Sequence, residues 1–436
     1  MYKGIINGIL IAGMVTLSAN MAMADDFHYT NLLIGDRASG MGGAYTAVSD
    51  DATGLYYNPA GIAYTMGRSF SASVNAYYNT EKKYKDVIGG NGWVRTSSSL
   101  LPNYFGVVQP FGKFKVGISY AVPESIIEDQ SQTFHDLQLG DSIKNLPQNA
   151  GVTITSYIIN FNNESNTYNF GPSIAMELSD NVSAGFTLYY FQHKNLTILN
   201  QIINTSNGGY ELSNLYTHVD EWGLRPILGF MWSPMDKVSV GIAISKVMLL
   251  SSNTSVQQTY ERRGIAYGVD SNNDGIVDTT QSDVVSLPDG QTSTDEKRKY
   301  PTQVSLGIAW FASPSLLVSG DINHFTEVKD QMADEVNNIA LGAEYYITRN
   351  WAVRGGLFTD YANTPKVSSG RINQLEHIDL YGGTISISRF TRNTAVTLGG
   401  GYTYGDGKAQ IISDSTSIQN AESQGWMFFL SSSYSY

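Results

Sequence analysis

The clearest constellation of chemistry-bearing side chains is Asp270-Ser271-Asn272-Asn273-Asp274-Gly275-Ile276-Val277-Asp278. Oxygen side chains at its first, third, fifth and ninth positions, with glycine at the sixth, match the opening nine positions of a calcium loop, whose seventh ligand is a backbone carbonyl. The closing bidentate Glu is absent, Gln281 standing at the twelfth position. Asp270, Asn272, Asp274, Ile276 and Asp278 are therefore expected either to hold Ca²⁺ weakly, at extracellular concentrations, or to form a plain Asn/Asp turn. Other chemistry is poorly provided for. The six histidines (His28, His135, His193, His218, His324, His377) show no metal-ligand spacing, and serine is too abundant to nominate a nucleophile. Cysteine is absent, which excludes disulfides, thiolate metal sites, a cysteine nucleophile and an acylated N-terminal cysteine. No catalytic residue and no cofactor beyond that weak cation are expected, and the chain reads as no enzyme.

The elements that would carry these residues follow from composition. The 436 residues include only 15% charged ones, against roughly 25% in soluble domains. The difference goes to 43 Gly, 28 Tyr and small polar residues, with only 12 Pro, a balance that favours strands and turns over a helical bundle or a disordered chain. Lys3, the apolar run from Ile5 to Leu17 and the small-x-small sequence Ala22-Met23-Ala24 have the parts of a secretory signal peptide, residues 1–24, cleaved after Ala24. An uncleaved anchor is the alternative, for which the run is short of the ~20 residues a spanning helix needs. Cleavage removes one Lys and no acid, taking the formal charge from -12 to -13, which makes nucleic acid an unsuitable partner. No later stretch approaches a helical span.

Alternation points to a barrel. Phe70, Ala72, Val74, Ala76 and Tyr78 share one face against serines and Asn75, and Phe114, Val116, Ile118, Tyr120 and Val122 alternate with Lys115, Gly117, Ser119 and Ala121. The same period returns in Val304 to Phe311 and Ile339 to Ile347. Small polar opposite faces suit a wet or plugged lumen, as in an outer-membrane barrel. Short turns near Gly112, Ser179-Asp180, Ser233 to Asp236, Ser313-Pro314, Arg349-Asn350 and Phe390 to Asn393 make six hairpins. With a lone first strand (68–78) and a last one (425–436) they predict an all-β, antiparallel transmembrane barrel of about 14 strands over residues 67–436, with both termini periplasmic. Seven long polar segments, near 79–102, 123–167, 192–220, 249–301, 327–337, 360–375 and 405–424, are the expected extracellular loops, Val152 to Phe161 being placed in the second. In the final strand Trp426, Phe428, Leu430, Tyr434 and Tyr436 share a face; such a terminal strand resembles the signal read by bacterial barrel-assembly machinery, and closure would remove its exposed edge.

Between signal and first strand lies Arg37-Ala38-Ser39-Gly40-Met41-Gly42-Gly43-Ala44-Tyr45, continuing through Asp50-Asp51-Ala52 to Asn58-Pro59-Ala60-Gly61. Its small residues allow close backbone packing, Ala44 to Leu55 suits a short helix ended at Asn58-Pro59, and residues 25–66 fit a plug; a flexible leader or a periplasmic cap are the alternatives. The Gly-Met-Gly-Gly-Ala-Tyr run, the Asp-Asp-Ala step and the Asn-Pro-Ala-Gly stop resemble the N-terminal hatch of the outer-membrane long-chain fatty-acid and aromatic-hydrocarbon transporters of the FadL/TodX type. The likeness extends more loosely through Asn350-Trp351-Ala352-Val353-Arg354-Gly355-Gly356 to the final Gly425-Trp426 strand.

The resemblance implies a monomeric barrel of the bacterial outer membrane, closed by a hatch that Gly40, Gly42, Gly43, Asn58, Pro59 and Ala60 shape and anchor. It implies passive uptake of hydrophobic small molecules, captured between outer loops and released sideways into outer-membrane lipid beside a kink in the third strand, for which Gly117 is the candidate by position. Leu196, Ile198, Leu199, Ile202 and Ile203 carry helical spacing in the third long segment, and suit a capture groove or a packed loop helix. A carboxylate ligand needs a cation: Lys194 at the end of the sixth strand, Arg225 on the seventh and Arg354 on the twelfth are candidates, unless lumen acids such as Glu344 or Asp321 pair with them. The alternative function is a surface scaffold or secretion-associated barrel, which needs no apolar lumen pocket.

Overall fold

The computed structural model describes residues 27–435 apart from 66, 140, 270–278, 287–291, 295–296, 332, 373 and 412–415. The signal segment, the calcium-like residues Asp270, Asn272, Asp274, Ile276 and Asp278, and Tyr436 therefore lie outside the described residues. Alternating segments form fourteen barrel strands. They are β1 (Ser69–Ile88), β2 (Asn91–Phe111), β3 (Phe114–Gln138), β4 (Thr153–Ser179), β5 (Val182–Thr205), β6 (Tyr210–Met235) and β7, in two segments (Val238–Lys246 and Met248–Arg263). The return half is β8 (Thr302–Ser313), β9 (Leu316–Phe325), β10 (Val336–Thr348), β11 (Trp351–Asp360), β12 (His377–Phe390), β13 (Thr394–Ala409) and β14 (Gln419–Ser435).

Every neighbouring pair is antiparallel, and β1 closes the ring on β14 from Ser69 opposite Ser435 to Tyr84 opposite Ala421. Closure leaves no free edge. The expected outward faces are outward: Leu306, Ile308, Trp310, Ile339, Leu341, Tyr345, Trp426, Phe428 and Leu430 are all among the exposed large apolar side chains. In an aqueous protein that belt would be an aggregation surface; against lipid it is the solvated face.

Strand length departs from the sequence reading. β8 to β11 have 12, 10, 13 and 10 residues, near the length that crosses a bilayer. β3 to β6 have 25, 27, 24 and 26. The extra residues carry these strands roughly 45 Å further along their own axes. Much of segments 79–102, 123–167 and 192–220 is therefore strand rather than loop, and Val152–Phe161 enters β4 from Thr153 onward. The error has a physical source: outside the membrane the outward face is polar, so the apolar band that marks a barrel strand stops while hydrogen bonding continues.

The projecting ends have a core of their own. Tyr84, Trp93, Phe134, Tyr157, Phe161, Leu199, Ile203, Tyr267, Ile378 and Ile411 are buried in one cluster, which is drawn from β1 to β5, β12 to β14 and connecting segments, with none from β8 to β11. We call this outer structure the crown.

Candidate functional site

Residues 27–65 lie inside the ring. Their regular pieces are short: a helix Asp36–Gly40, another Gly54–Tyr57, and a 3₁₀ turn Pro59–Tyr64. Residues between Ala44 and Ala52 form turns instead of the expected helix. Gly42 and Gly43 have φ of 65° and 83°, a region that a side chain rarely adopts. Asn58 binds the plug both to itself and to the wall. Its Oδ1 accepts from Ala60 N–H (3.1 Å), while its Nδ2 donates to Thr46 O (2.8 Å) and to Phe230 O on β6 (3.2 Å). Pro59 opens the 3₁₀ turn, Ala60 O accepts from Ser183 on β5 (2.9 Å), and Gly40 O accepts from Thr384 on β12 (3.2 Å).

The wall makes room for this segment with glycine. Gly117 (β3), Gly185 (β5), Gly229 (β6), Gly241 (β7), Gly307 (β8), Gly342 (β10) and Gly356 (β11) would each place a Cβ under 3.0 Å from Leu55, Pro59, Ala60, Thr46, Met41 or Gly42. The small inward residues that predicted a wet lumen are at these positions seats for the plug. Gly117 is one of them. Its strand pairs regularly there, with Val108 on one side and Ser173 on the other, so the expected kink at Gly117 is corrected. The break comes at Val122-Pro123: β2 and β3 pair from Phe111–Phe114 up to Tyr104–Ala121 and resume only at Ser97–Glu128. Proline lacks the ladder N–H, and Ala121 and Val122 are both buried, so the strand turns inward. There the Pro123 carbonyl accepts from Leu32 N–H of the plug (3.0 Å).

Charges fasten the plug to β9, β10 and β11. Glu344 accepts from Arg37 Nε and Nη2 (2.9 and 2.8 Å) and from Arg354 Nε (2.5 Å), and Arg37 also meets Asp50 (2.5 Å). Asp321 Oδ2 accepts from Tyr45 N–H (2.9 Å) and Thr46 N–H (2.8 Å). In the plug, burial and then the neighbouring Asp36 push the Asp51 carboxyl up to about 6, while the Tyr45 hydroxyl donates to it at 2.7 Å.

Above the plug is a cavity of about 1320 Å³. Its floor includes Leu33, Gly43, Tyr56 and Tyr57; Pro123 and Glu124 stand at one wall, Val328 and Ala333 at the other, and Leu215 toward the crown. Phe191, Ile227, Phe325 and Phe358 supply apolar surface, the composition of a small-molecule site.

The three candidate cations separate. They lie on β5, β6 and β11, one strand earlier than expected. Lys194 is exposed on the outer face, 4.0 Å from Asp220, and Arg354 is buried on Glu344 and Ser388; neither lines the cavity. Arg225 does. It donates to Tyr56 Oη (3.4 Å) and Gln303 Oε1 (3.3 Å), both neutral, and lies 5.1 Å from the Tyr56 ring centre. Leu196, Ile198, Leu199, Ile202 and Ile203 are not helical: they belong to β5, where Leu199 and Ile203 enter the crown core and the other three face the opposite side, half-buried. The cavity residues His193, Glu221, Tyr300 and Gln303, which the sequence reading passed over, have no local motif; only the register of distant strands brings them together.

Among solved structures the chain is similar to a Pseudomonas aeruginosa FadL homologue (13% identity, 94% of this chain and 99% of that one, TM-score 0.60). It is similar also to the P. putida toluene transporter TodX (13%, 92% and 98%, 0.59) and the Ralstonia pickettii toluene transporter TbuX (14%, 92% and 98%, 0.55). No curated protein matches. At these identities the structures speak for the fold, and the family model speaks for the family. Matching that model over residues 15–372, the chain belongs to the outer membrane protein transport protein family (OMPP1/FadL/TodX) and is a β-barrel of the bacterial outer membrane.

Proposed function

We propose that this barrel takes up hydrophobic small molecules passively, holding them in the cavity above the plug and releasing them sideways into outer-membrane lipid through the β2–β3 break at Val122-Pro123. The carrying observation is the cavity itself, apolar over much of its wall and reaching Pro123 and Glu124 at that break. Lateral release is favourable because an apolar chain gains by entering acyl chains without re-entering water. The solved relatives named toluene transporters are consistent with a hydrocarbon ligand. A single chain completes the ring, which suits a monomer, and the outward aromatics of β14 suit recognition by barrel-assembly machinery.

Arg225 extends the reading to anionic amphiphiles. Among the described residues its hydrogen-bond partners, Tyr56 and Gln303, are neutral, so a ligand carboxylate entering the cavity gains a charge-assisted bond without displacing an ion pair among them. Calorimetry in detergent with laurate and with naphthalene tests this. Arg225→Met is expected to weaken laurate by about ten- to a hundredfold while leaving naphthalene within about twofold. Equal effects on both ligands would remove Arg225 from headgroup recognition, and no binding of either to the unaltered protein would refute the transport reading.

A further inference from the structure

The cavity lies between two closures. Below it is the plug; above it is the crown core, built from side chains of β1 to β5, β12 to β14 and the segments around Leu139, Ile265 and Ile411. Leu215 lines the cavity and packs against that core, so the crown core overlies this part of the cavity. On one side of the ring the described residues form no such roof. β8 to β11 stop at Thr302, Phe325, Val336 and Asp360 and contribute nothing to the crown core.

Over this low rim the cavity is lined by partly or fully exposed residues: Lys297, Lys299, Gln331, Ala333 and Leu375. Its sill is fixed in place. Asn363 N–H donates to Phe27 O (2.8 Å), Asp334 N–H donates to Asn363 O (2.6 Å), and Tyr29 stacks on Phe325 with ring centres 4.4 Å apart. The membrane belt reaches almost to this edge: exposed Leu306, Ile322, Ile339 and Leu357 lie three or four residues in from the strand ends, about 10–13 Å along a strand. In a ring of fourteen, the β9–β10 boundary stands seven strands from the β2–β3 break, so the two openings face each other across the cavity.

We infer that the cavity is loaded through this side mouth, at the level of the membrane surface, and that the crown is a cap through which nothing passes. Molecules already partitioned into the outer leaflet and its headgroups then reach the mouth without crossing the crown. Lys297 and Lys299, basic residues at the mouth, face the anionic layer of that surface. What enters rests on the transport reading above; the access route does not.

The absence of cysteine makes the route directly measurable. Ala243→Cys places a thiol in the cavity wall, and its reaction rate with sulfonatoethyl methanethiosulfonate reports access without any ligand. Adding Ala333→Trp, or separately Lys299→Trp, at the mouth is expected to slow the reaction about tenfold or more, whereas Asn91→Trp at a crown tip leaves it unchanged. Unchanged rates in whichever mouth variant folds, or slowing by the crown substitution instead, would overturn the side mouth. Because no ligand takes part, these outcomes are distinguishable from a failure of laurate or naphthalene to bind.

Discussion

Replacing Glu344 by alanine is expected to unlatch the plug. Glu344 is fully buried between Arg37 of the plug and Arg354 of β11, so its loss leaves two guanidinium groups facing each other with no carboxylate between them, Arg37 keeping only Asp50 of the plug itself. Removing one partner of a buried pair costs about 3–5 kcal/mol, and here the cost falls on the docked state, because an undocked Arg37 returns to water. The docked population should fall by roughly 10²–10⁴-fold relative to the undocked one. Planar-bilayer recording reads this directly: ion current through the side mouth and the emptied lower lumen should become frequent in the alanine variant and rare in the unaltered barrel. Glu344→Asp, which keeps the charge, should restore most of the closed state. Equal conductance in all three would show that the charge cluster does not hold the plug.

Gly356→Val should open the same path by a different cause. The Cβ it adds falls on the backbone of Met41 and Gly42, and Gly42 in turn has Gly356 and Leu357 backbone about its own Cβ position at 3.1 Å. Two backbones meet here with no side chain able to yield, and Gly42 holds a φ of 65°. Overpacking of well-fitted contacts costs about 1–3 kcal/mol and more where nothing can relax. The adjacent Gly355 is the internal control: it points outward, and its nearest contact would be an ordinary 3.9 Å. Gly356→Val is expected to raise conductance and expose the plug to protease, with Gly355→Val behaving as unaltered protein. Indistinguishable behaviour of the two variants would contradict the seating of the plug on wall glycines.

How far these features were legible in sequence follows from which signals are local. Alternation such as Leu306, Ile308, Trp310 is set by the bilayer and is visible wherever the strand touches lipid, so the ring and its fourteen strands could be read. Above the membrane that signal fails, and β3 to β6 continue with polar outward faces; the crown core was hidden because Tyr84, Trp93, Phe134 and Phe161 come from segments read as loops. Leu196 to Ile203 show how spacing misleads: Leu196, Leu199 and Ile203 fit a helix face, yet in β5 odd and even residues part, sending Leu199 and Ile203 inward. The kink was sought at Gly117, where glycine permits bending, although Pro123 six residues on is the residue that cannot complete the ladder. Gly117 answers to a partner 62 residues earlier, Leu55, and no single-strand pattern reveals that. The plug residues Asn58 and Pro59 were readable because their turn chemistry is local; their seats on Gly185 and Gly229 were not.

Hydrophobic uptake across the outer membrane is most directly tested in bacterial cells lacking a barrel of this kind, comparing labelled laurate and naphthalene accumulation with and without this protein. The account predicts faster accumulation of at least one of the two in cells carrying the unaltered barrel, with Arg225→Met impairing laurate selectively. Rates equal to those of cells without the barrel, for both compounds and with the protein folded in the outer membrane, would contradict it.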